Sequence, residues 1–226
     1  MNKIIRKIQY SEKVYRFDVE APLIAKSRKA GNFVIIRVDA NSERMPLTIA
    51  DADIEKGTIT LVVQKVGLSS TKLCNLNEGD EIHDVVGPLG NPTHVENYGT
   101  VLCAGGGVGV APMLPIIKAL KAAGNRVLSV IAGRSKDLVI MEDEVRTSSD
   151  ELIIMTDDGS YGEKGVVTVG MEKLIQQEHI DKAFAIGPPI MMKFCCLLTQ
   201  KYNLPTDVSL NTIMVDGTGM CGACRL

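Results

Sequence analysis

Hydrophobic positions in the first part of the chain recur with a period near two. The segments "NKIIRKIQ", "VYRFDVE", "NFVIIRVD", "MPLTIAD", "TITLVVQKV" and "DEIHDVVG" are short, rich in β-branched residues and partly alternating. Turn-formers stand between them: "APL", "KAGN", "DANSE", "EKG", "NEGD" and "GPLGNP". Six such strands without a long helix predict a closed antiparallel β-barrel over residues 1–97. One short helix is predicted at "SSTKLCNL", opened by Ser69 or Ser70 as its cap.

The period changes at Gly99. "GTVLCAGG" reads as a buried strand and "VGVAPMLPIIKALKAAG" as a helix, with Pro112 and Pro115 expected in its first turn and Gly124 after its end. "NRVLSVIAGR", "DLVIMEDEVRTS", "ELIIMT", "VVTVGMEKLIQQEH", "KAFAIG", "PIMMKFCCLLTQKYN" and "PTDVSLN" continue the alternation of strand and helix. That order predicts an α/β domain with a parallel sheet covered on both faces over residues 98–210. Residues 211–226 remain as a short C-terminal segment.

Composition excludes several classes. A net charge of −2 gives no basic excess for nucleic acid, and the absence of tryptophan leaves few base-stacking surfaces. The N-terminus lacks the apolar core of a signal peptide. The most apolar window, "VLCAGGGVGVAPMLPII", is broken by glycine and proline and is too short for a bilayer. A cytoplasmic protein without nucleic-acid or membrane partners is expected. Its cysteines are then reduced. Cys74, Cys103, Cys195 and Cys196 lie among apolar residues and read as small buried hydrophobes.

Candidate chemistry gathers at strand ends. "CAGGGVGVAP" follows the first strand of the parallel sheet, where such sheets bind ligands. Gly106, Gly107, Val108 and Gly109 let the backbone approach a pyrophosphate at a helix N-terminus, although Val110 stands where a third glycine of G-x-G-x-x-G would be. "AGRSKD", "TDDGSYGEKG" and "AIGPPIMM" follow later strands at the same sheet edge. They place Arg134, Lys136, Asp157, Asp158, Gly187, Pro188 and Met191 around one cleft. Arg134 and Lys136 would attract a 2′-phosphate, whereas Asp157 and Asp158 would repel one.

In the barrel half, "ERMPLTIAD" puts Arg44 before a strand, where it can pair with a phosphate, and Thr48 further along, where its hydroxyl can reach a ring nitrogen. "VGLSSTKL" adds a glycine, three hydroxyl residues and a helix start, a second anion site of the same kind. R-x-P-L-T, G-x-S-S-T, G-G-G-V-G-x-A-P and G-P-P-x-M-M occur in this order over nearly the whole chain, which resembles the ferredoxin–NADP reductase superfamily. The resemblance implies FAD in the barrel and a pyridine nucleotide in the second domain. It assigns Arg44, Pro46, Leu47, Thr48, Val63, Gln64 and Ser69, Ser70 and Thr71 to the flavin, with Thr48 nearest the chemistry. Pro46 stands where many members carry tyrosine, and Ile186 where many carry a cysteine beside the nicotinamide. The resemblance favours NAD(H), with NADP as the alternative.

The chain ends in "MVDGTGMCGACRL". One branch of the superfamily carries a [2Fe-2S] cluster in this region, on cysteines spaced C-x4-C-x2-C followed by a fourth. Asp216 occupies the first of these positions, and Cys221 and Cys224 the second and third. A carboxylate can ligate iron, as a harder donor than thiolate. The fourth ligand is expected about a dozen residues beyond Cys224, so residues 211–226 read as a truncated cluster segment. The aspartate resembles the small subunits of NADH-dependent reduced ferredoxin:NADP+ oxidoreductases, while dihydroorotate dehydrogenase electron-transfer subunits carry four cysteines. The resemblance implies an electron-transfer subunit that works with a larger flavin and iron–sulfur subunit, and with ferredoxin through that complex. A nucleotide-binding regulatory module without redox chemistry is the alternative of another class.

Overall fold

The computed structural model describes residues Asn2 to Arg225. The chain forms two compact units. One comprises residues up to Thr93 together with those from Asn211 onward, and the other runs from His94 to Leu210. The C-terminal segment therefore groups with the barrel.

The first unit carries strands β1 (Ile4–Ser11), β2 (Val14–Glu20), β3 (Phe33–Arg37), β4 (Met45–Asp53), β5 (Thr58–Gln64) and β6 (Asp84–Leu89). Their order is β1-β2-β5-β4-β3-β6, and every paired neighbour is antiparallel. The segment before β6 returns to β1: Lys3 bridges Glu81, and the Ile4 N–H donates to the Asp80 carbonyl at 2.9 Å. This closure satisfies edge groups that an open sheet would expose. Phe17, Ile36, Ile49, Ile59 and Leu61 fill the interior, each fully buried. Helix α2 (Leu68–Asn75) crosses after β5, with Leu73 and Cys74 buried.

A further helix, α1 (Pro22–Ser27), occupies part of what the sequence pattern presents as the turn "APL". Proline at its first position suits a helix start, since its missing N–H would have no partner there. Six residues are too few to establish a 3.6-residue period, so the segment shows no helical signature in sequence.

The second unit contains β7 (Thr100–Gly106), α3 (Val110–Ala122), β8 (Arg126–Gly133), α4 (Glu142–Ser148), β9 (Glu151–Thr156), β10 (Glu163–Lys164), α5 (Val167–Gln177), β11 (Lys182–Ile186), α6 (Pro189–Lys201) and β12 (Thr206–Val208). The order β10-β9-β8-β7-β11-β12 is parallel throughout. Leu102, Leu128, Val130, Met155, Met171 and Leu174 form its core. The two-residue β10 lies inside the loop "TDDGSYGEKG" and is too short for a sequence signal. Pro115 lies in the second turn of α3, not its first. There it leaves the Ala111 carbonyl without its usual i+4 donor. Among the described residues no helix is long and apolar enough to cross a membrane.

Candidate functional site

Strand alternation sorts the "ERMPLT" residues. Met45 and Leu47 pack with the barrel core, so Pro46 and Thr48 stand on the opposite face of β4. By this register the Leu47 side chain faces the core, so contact between Leu47 and a ligand would come from its backbone. Val63 is 1% exposed and its side chain likewise lies in the core, whereas Gln64 ends β5 in solvent. Thr48 is half-buried and pairs with Phe33 across the sheet. Its hydroxyl has no hydrogen-bond partner among the described residues. Arg44 is exposed directly before β4, and its guanidinium makes no ion pair among the described residues.

Helix α2 begins at Gly67, which serves as its cap in place of Ser69 or Ser70. Ser70 is buried, and its hydroxyl oxygen accepts the Val66 and Gly67 N–H groups at 3.0 and 2.9 Å. The Ser70 side chain is thus committed to shaping the loop, as the third residue of a capping box does. Ser69 and Thr71 are half-buried, and their hydroxyls have no hydrogen-bond partner among the described residues. The N–H groups of the first helical turn have no intrahelical acceptors. Together these groups form an electropositive rim suited to a phosphate.

Two ties hold that rim, and neither is visible as a local motif. Lys72 Nζ pairs with Asp39 Oδ2 at 2.8 Å and reaches Ser42 Oγ at 3.3 Å. The loop that leads into Arg44 is thereby fastened to α2. Lys7 Nζ donates to the carbonyls of Cys74 and Leu76 at 2.8 and 2.7 Å, capping the C-terminal end of α2. These partners are 30 to 69 residues apart.

The Asp39 tie has a pH signature. Hydrogen bonds from Lys72 and Ser42 hold the Asp39 carboxyl down to about 2 from its ordinary 3.8. Its folded value is depressed, so the stabilisation is present above the ordinary value and is lost as pH falls through about 2. An NMR titration of the Asp39 carboxyl should show the low midpoint, and Lys72→Met should return it toward 3.8.

In the second unit, the carboxyl ends of β7 and β11 are adjacent at the point where strand order reverses, the usual ligand crevice of such sheets. Gly106 ends β7, and a single 3-10 turn over Gly107–Gly109 leads into α3. Gly107 has φ +54° with open space where a side chain would stand. A Cβ on Gly109 would lie 2.5 Å from the Ile186 carbonyl oxygen and 2.7 Å from Gly187 Cα. The glycine loop is therefore pressed against the "GPP" loop. Met191 fills the space over Gly106 and Gly187, which gives it a packing role between the two loops. Pro188 caps α6 and is exposed beside them.

The loops after β8 and β9 are joined. The Asp157 and Asp158 N–H groups donate to the Gly133 and Arg134 carbonyls at 3.1 and 3.2 Å, and the Lys136 N–H donates to Ser160 Oγ at 2.8 Å. Hydrogen bonds from Ser160 hold the Asp158 carboxyl below the usual carboxylate range. Asp158 is thus spent on its own turn, while Arg134 and Asp157 remain exposed without an ion pair among the described residues.

In the C-terminal segment, Gly217 has φ +73° and lies against Ile35 and Leu89 of the barrel. Asp216 accepts the Thr218 N–H at 2.8 Å and the Cys221 N–H at 3.1 Å. Those bonds hold its carboxyl low. Cys221 and Cys224 are exposed free thiols. Among the described residues no three His, Cys, Asp or Glu side chains are grouped as metal ligands. Asp216, Cys221 and Cys224 thus share one loop, in which the carboxylate is held by backbone N–H groups. Of the remaining cysteines, Cys74, Cys103 and Cys195 are buried as expected, with the Cys195 thiol pushed up to about 12 by burial, while Cys196 is only half-buried.

No protein-family model matches the chain. It is 51% identical over 226 residues to the dihydroorotate dehydrogenase B (NAD(+)) electron transfer subunit homolog of Thermotoga maritima, all of this chain aligning with 80% of that protein. It is 32% identical over 225 residues to the dihydroorotate dehydrogenase B (NAD(+)) electron transfer subunit of Fusobacterium nucleatum, covering 96% of this chain and 85% of that one. Among solved structures, one from work on flavin-based electron bifurcation by the NADH-dependent reduced ferredoxin-NADP oxidoreductase matches with a TM-score of 0.95 and 48% identity, over all of this chain and 81% of its own. The chain therefore belongs to the family of dihydroorotate dehydrogenase B electron-transfer subunits and their homologues, oxidoreductase subunits of the ferredoxin–NADP reductase fold.

Proposed function

We propose that the chain binds FAD on the barrel and NAD(H) at the glycine loops of the parallel sheet, and passes electrons to a larger flavin and iron–sulfur subunit. The ferredoxin:NADP+ oxidoreductase type is favoured, with flavin-based bifurcation as its chemistry. Support comes from the 48% identical structural relative and from the aspartate at position 216. The observation that carries the flavin reading is the set of unengaged donors at one end of the barrel: Arg44, Ser69, Thr71 and the first turn of α2. Such a set offers an anion both positive charge and several N–H and O–H donors.

When bound, FAD supplies what nicotinamide lacks, accepting a hydride and releasing electrons singly. The residues of the chain bind and orient. Arg44 and the α2 terminus neutralise the pyrophosphate. Thr48, with its free hydroxyl on the outward face of β4, is placed to hydrogen-bond the isoalloxazine edge. Gly106, Gly107 and Gly109 admit the nucleotide pyrophosphate to the start of α3, with Val108 at the rim. Arg134 and Asp157 set the preference at the adenosine ribose. We assign that preference to NAD(H), because Asp157 would oppose a 2′-phosphate.

The relatives' names favour a second reading with the same cofactors, the electron-transfer subunit of a dihydroorotate dehydrogenase. The visible spectrum of the purified chain tests the flavin, and diaphorase assays with NADH and NADPH test the nucleotide. A flavin spectrum with NADH preferred is expected. A colourless protein that cannot be reconstituted would leave the regulatory-module reading, and a strong NADPH preference would reverse the nucleotide assignment. Co-purification with dihydroorotate dehydrogenase would decide for the second reading.

A further inference from the structure

Helix α6 carries apolar residues on two sides. Met192, Cys195 and Leu198 are buried where it packs on α5, β11 and β12. On the other side Ile190, Phe194 and Leu197 recur at i, i+4 and i+7, and they are 60%, 54% and 46% exposed. Those steps place them in one stripe along the helix. A helix covered on one side normally turns charged and polar residues to water instead. Lys193 flanks the stripe and Lys201 ends it, both exposed and without an ion pair among the described residues. α6 contains no acidic residue, and β11 contains none. The single carboxylates of α5 and β12 are engaged: Glu172 accepts the Tyr202 hydroxyl at 3.1 Å, and Asp207 pairs with Lys182 at 2.9 Å.

We infer that this stripe docks an acidic amphipathic helix of another protein. From Ile190 to Lys201 it extends about 17 Å, or roughly three helical turns. A helical segment with apolar residues at the same steps can set them between Ile190, Phe194 and Leu197, as amphipathic helices do on apolar surfaces. Phe194, central and aromatic, is the anchor on this side. Charge selects the partner. Acidic residues beside the partner's apolar stripe meet Lys193 and Lys201, which no carboxylate of α6, α5 or β12 neutralises. A second copy of the chain offers only the same two lysines, so self-pairing gathers cations without a counter-charge. A membrane surface takes helices rich in cations on the polar face, and α6 has only these two lysines. The inference is independent of which cofactors the chain binds.

The test titrates the purified chain into two labelled synthetic helical peptides, read by fluorescence anisotropy. Both carry the same leucine stripe; one has glutamates at its remaining positions and the other has lysines. The glutamate peptide should bind at least about tenfold more tightly than the lysine peptide. Phe194→Asp should weaken the glutamate peptide by about tenfold or more. Its side chain is exposed, so the melting temperature should stay near that of wild type. Lys193→Glu combined with Lys201→Glu should reverse the preference between the peptides. No binding of the glutamate peptide, equal affinity for both peptides, or a preference unmoved by the charge reversal would overturn the inference. Sedimentation of the chain alone should show no dimer that depends on Phe194, and vesicles of phosphatidylserine should not retain the chain through Phe194. A Phe194-dependent dimer would assign the stripe to a second copy, Phe194-dependent vesicle binding would assign it to a membrane, and either result overturns the inference.

Discussion

Gly109→Ala should lower NADH-dependent reduction of an artificial acceptor by about a hundredfold while FAD content stays at the wild-type level. The added Cβ would lie 2.5 Å from the Ile186 carbonyl oxygen and 2.7 Å from Gly187 Cα. Both are backbone atoms, so no rotamer change relieves the overlap. The start of α3 must instead move away from the end of β11. Overpacking of this kind costs about 1–3 kcal/mol. A shift near 1 Å in a positioning loop can cost on the order of a hundredfold in rate. Gly109 has φ −62°, so an alanine meets no conformational objection there, and the effect isolates the close approach. Gly107→Ala is the informative contrast. At φ +54° with open space around it, that change strains the backbone without pushing the two loops apart. Stopped-flow reduction by NADH, alongside the absorbance ratio of flavin to protein, reads both quantities. If Gly109→Ala loses flavin in proportion to activity, the glycine loop is not a separate nucleotide site.

Much of this architecture is written in local sequence, and the exceptions have physical causes. The barrel strands alternate because one face is buried, and the parallel strands do not alternate because both faces are. β5 sits in the middle of its sheet with six of its seven residues buried, so its near-continuous apolar run had the character of a covered strand even within the barrel. α1 left no trace because it is under two turns long. Site residues divide in a similar way. Arg44, Thr48, Ser69 and Thr71 present polar groups without side-chain partners among the described residues, whereas the Leu47 and Val63 side chains pack in the core, since neighbouring positions on a strand face opposite ways. Ser70 looked equivalent to Ser69 and Thr71 in sequence. Only the fold shows that its hydroxyl is consumed by Val66 and Gly67. The ties from Lys72 to Asp39 and from Lys7 to the end of α2 are long-range pairings that no local pattern encodes.

Arg44→Ala should weaken FAD binding by about 10- to 150-fold and leave the fold intact. The guanidinium is exposed and has no ion pair among the described residues, so removing it leaves no partner stranded. Its loop remains fastened to α2 through Lys72, Asp39 and Ser42. The whole loss therefore falls on the ligand. A hydrogen bond to a charged group contributes about 1.5–3 kcal/mol, and every 1.4 kcal/mol is a factor of ten in affinity. Arg44→Lys should recover only part of the loss, because an ammonium keeps the charge but not the planar fork that engages two phosphate oxygens. Raising the salt concentration should weaken wild type more than Arg44→Ala, since the variant lacks the charge that salt screens. FMN affinity should fall with FAD affinity in Arg44→Ala, because both flavins present a phosphate to the rim. Isothermal titration of the flavin-free variants with each flavin measures these differences. An Arg44→Ala protein that retains wild-type affinity and wild-type salt dependence would remove Arg44 from the flavin site and shift the anchoring of the pyrophosphate to α2 alone.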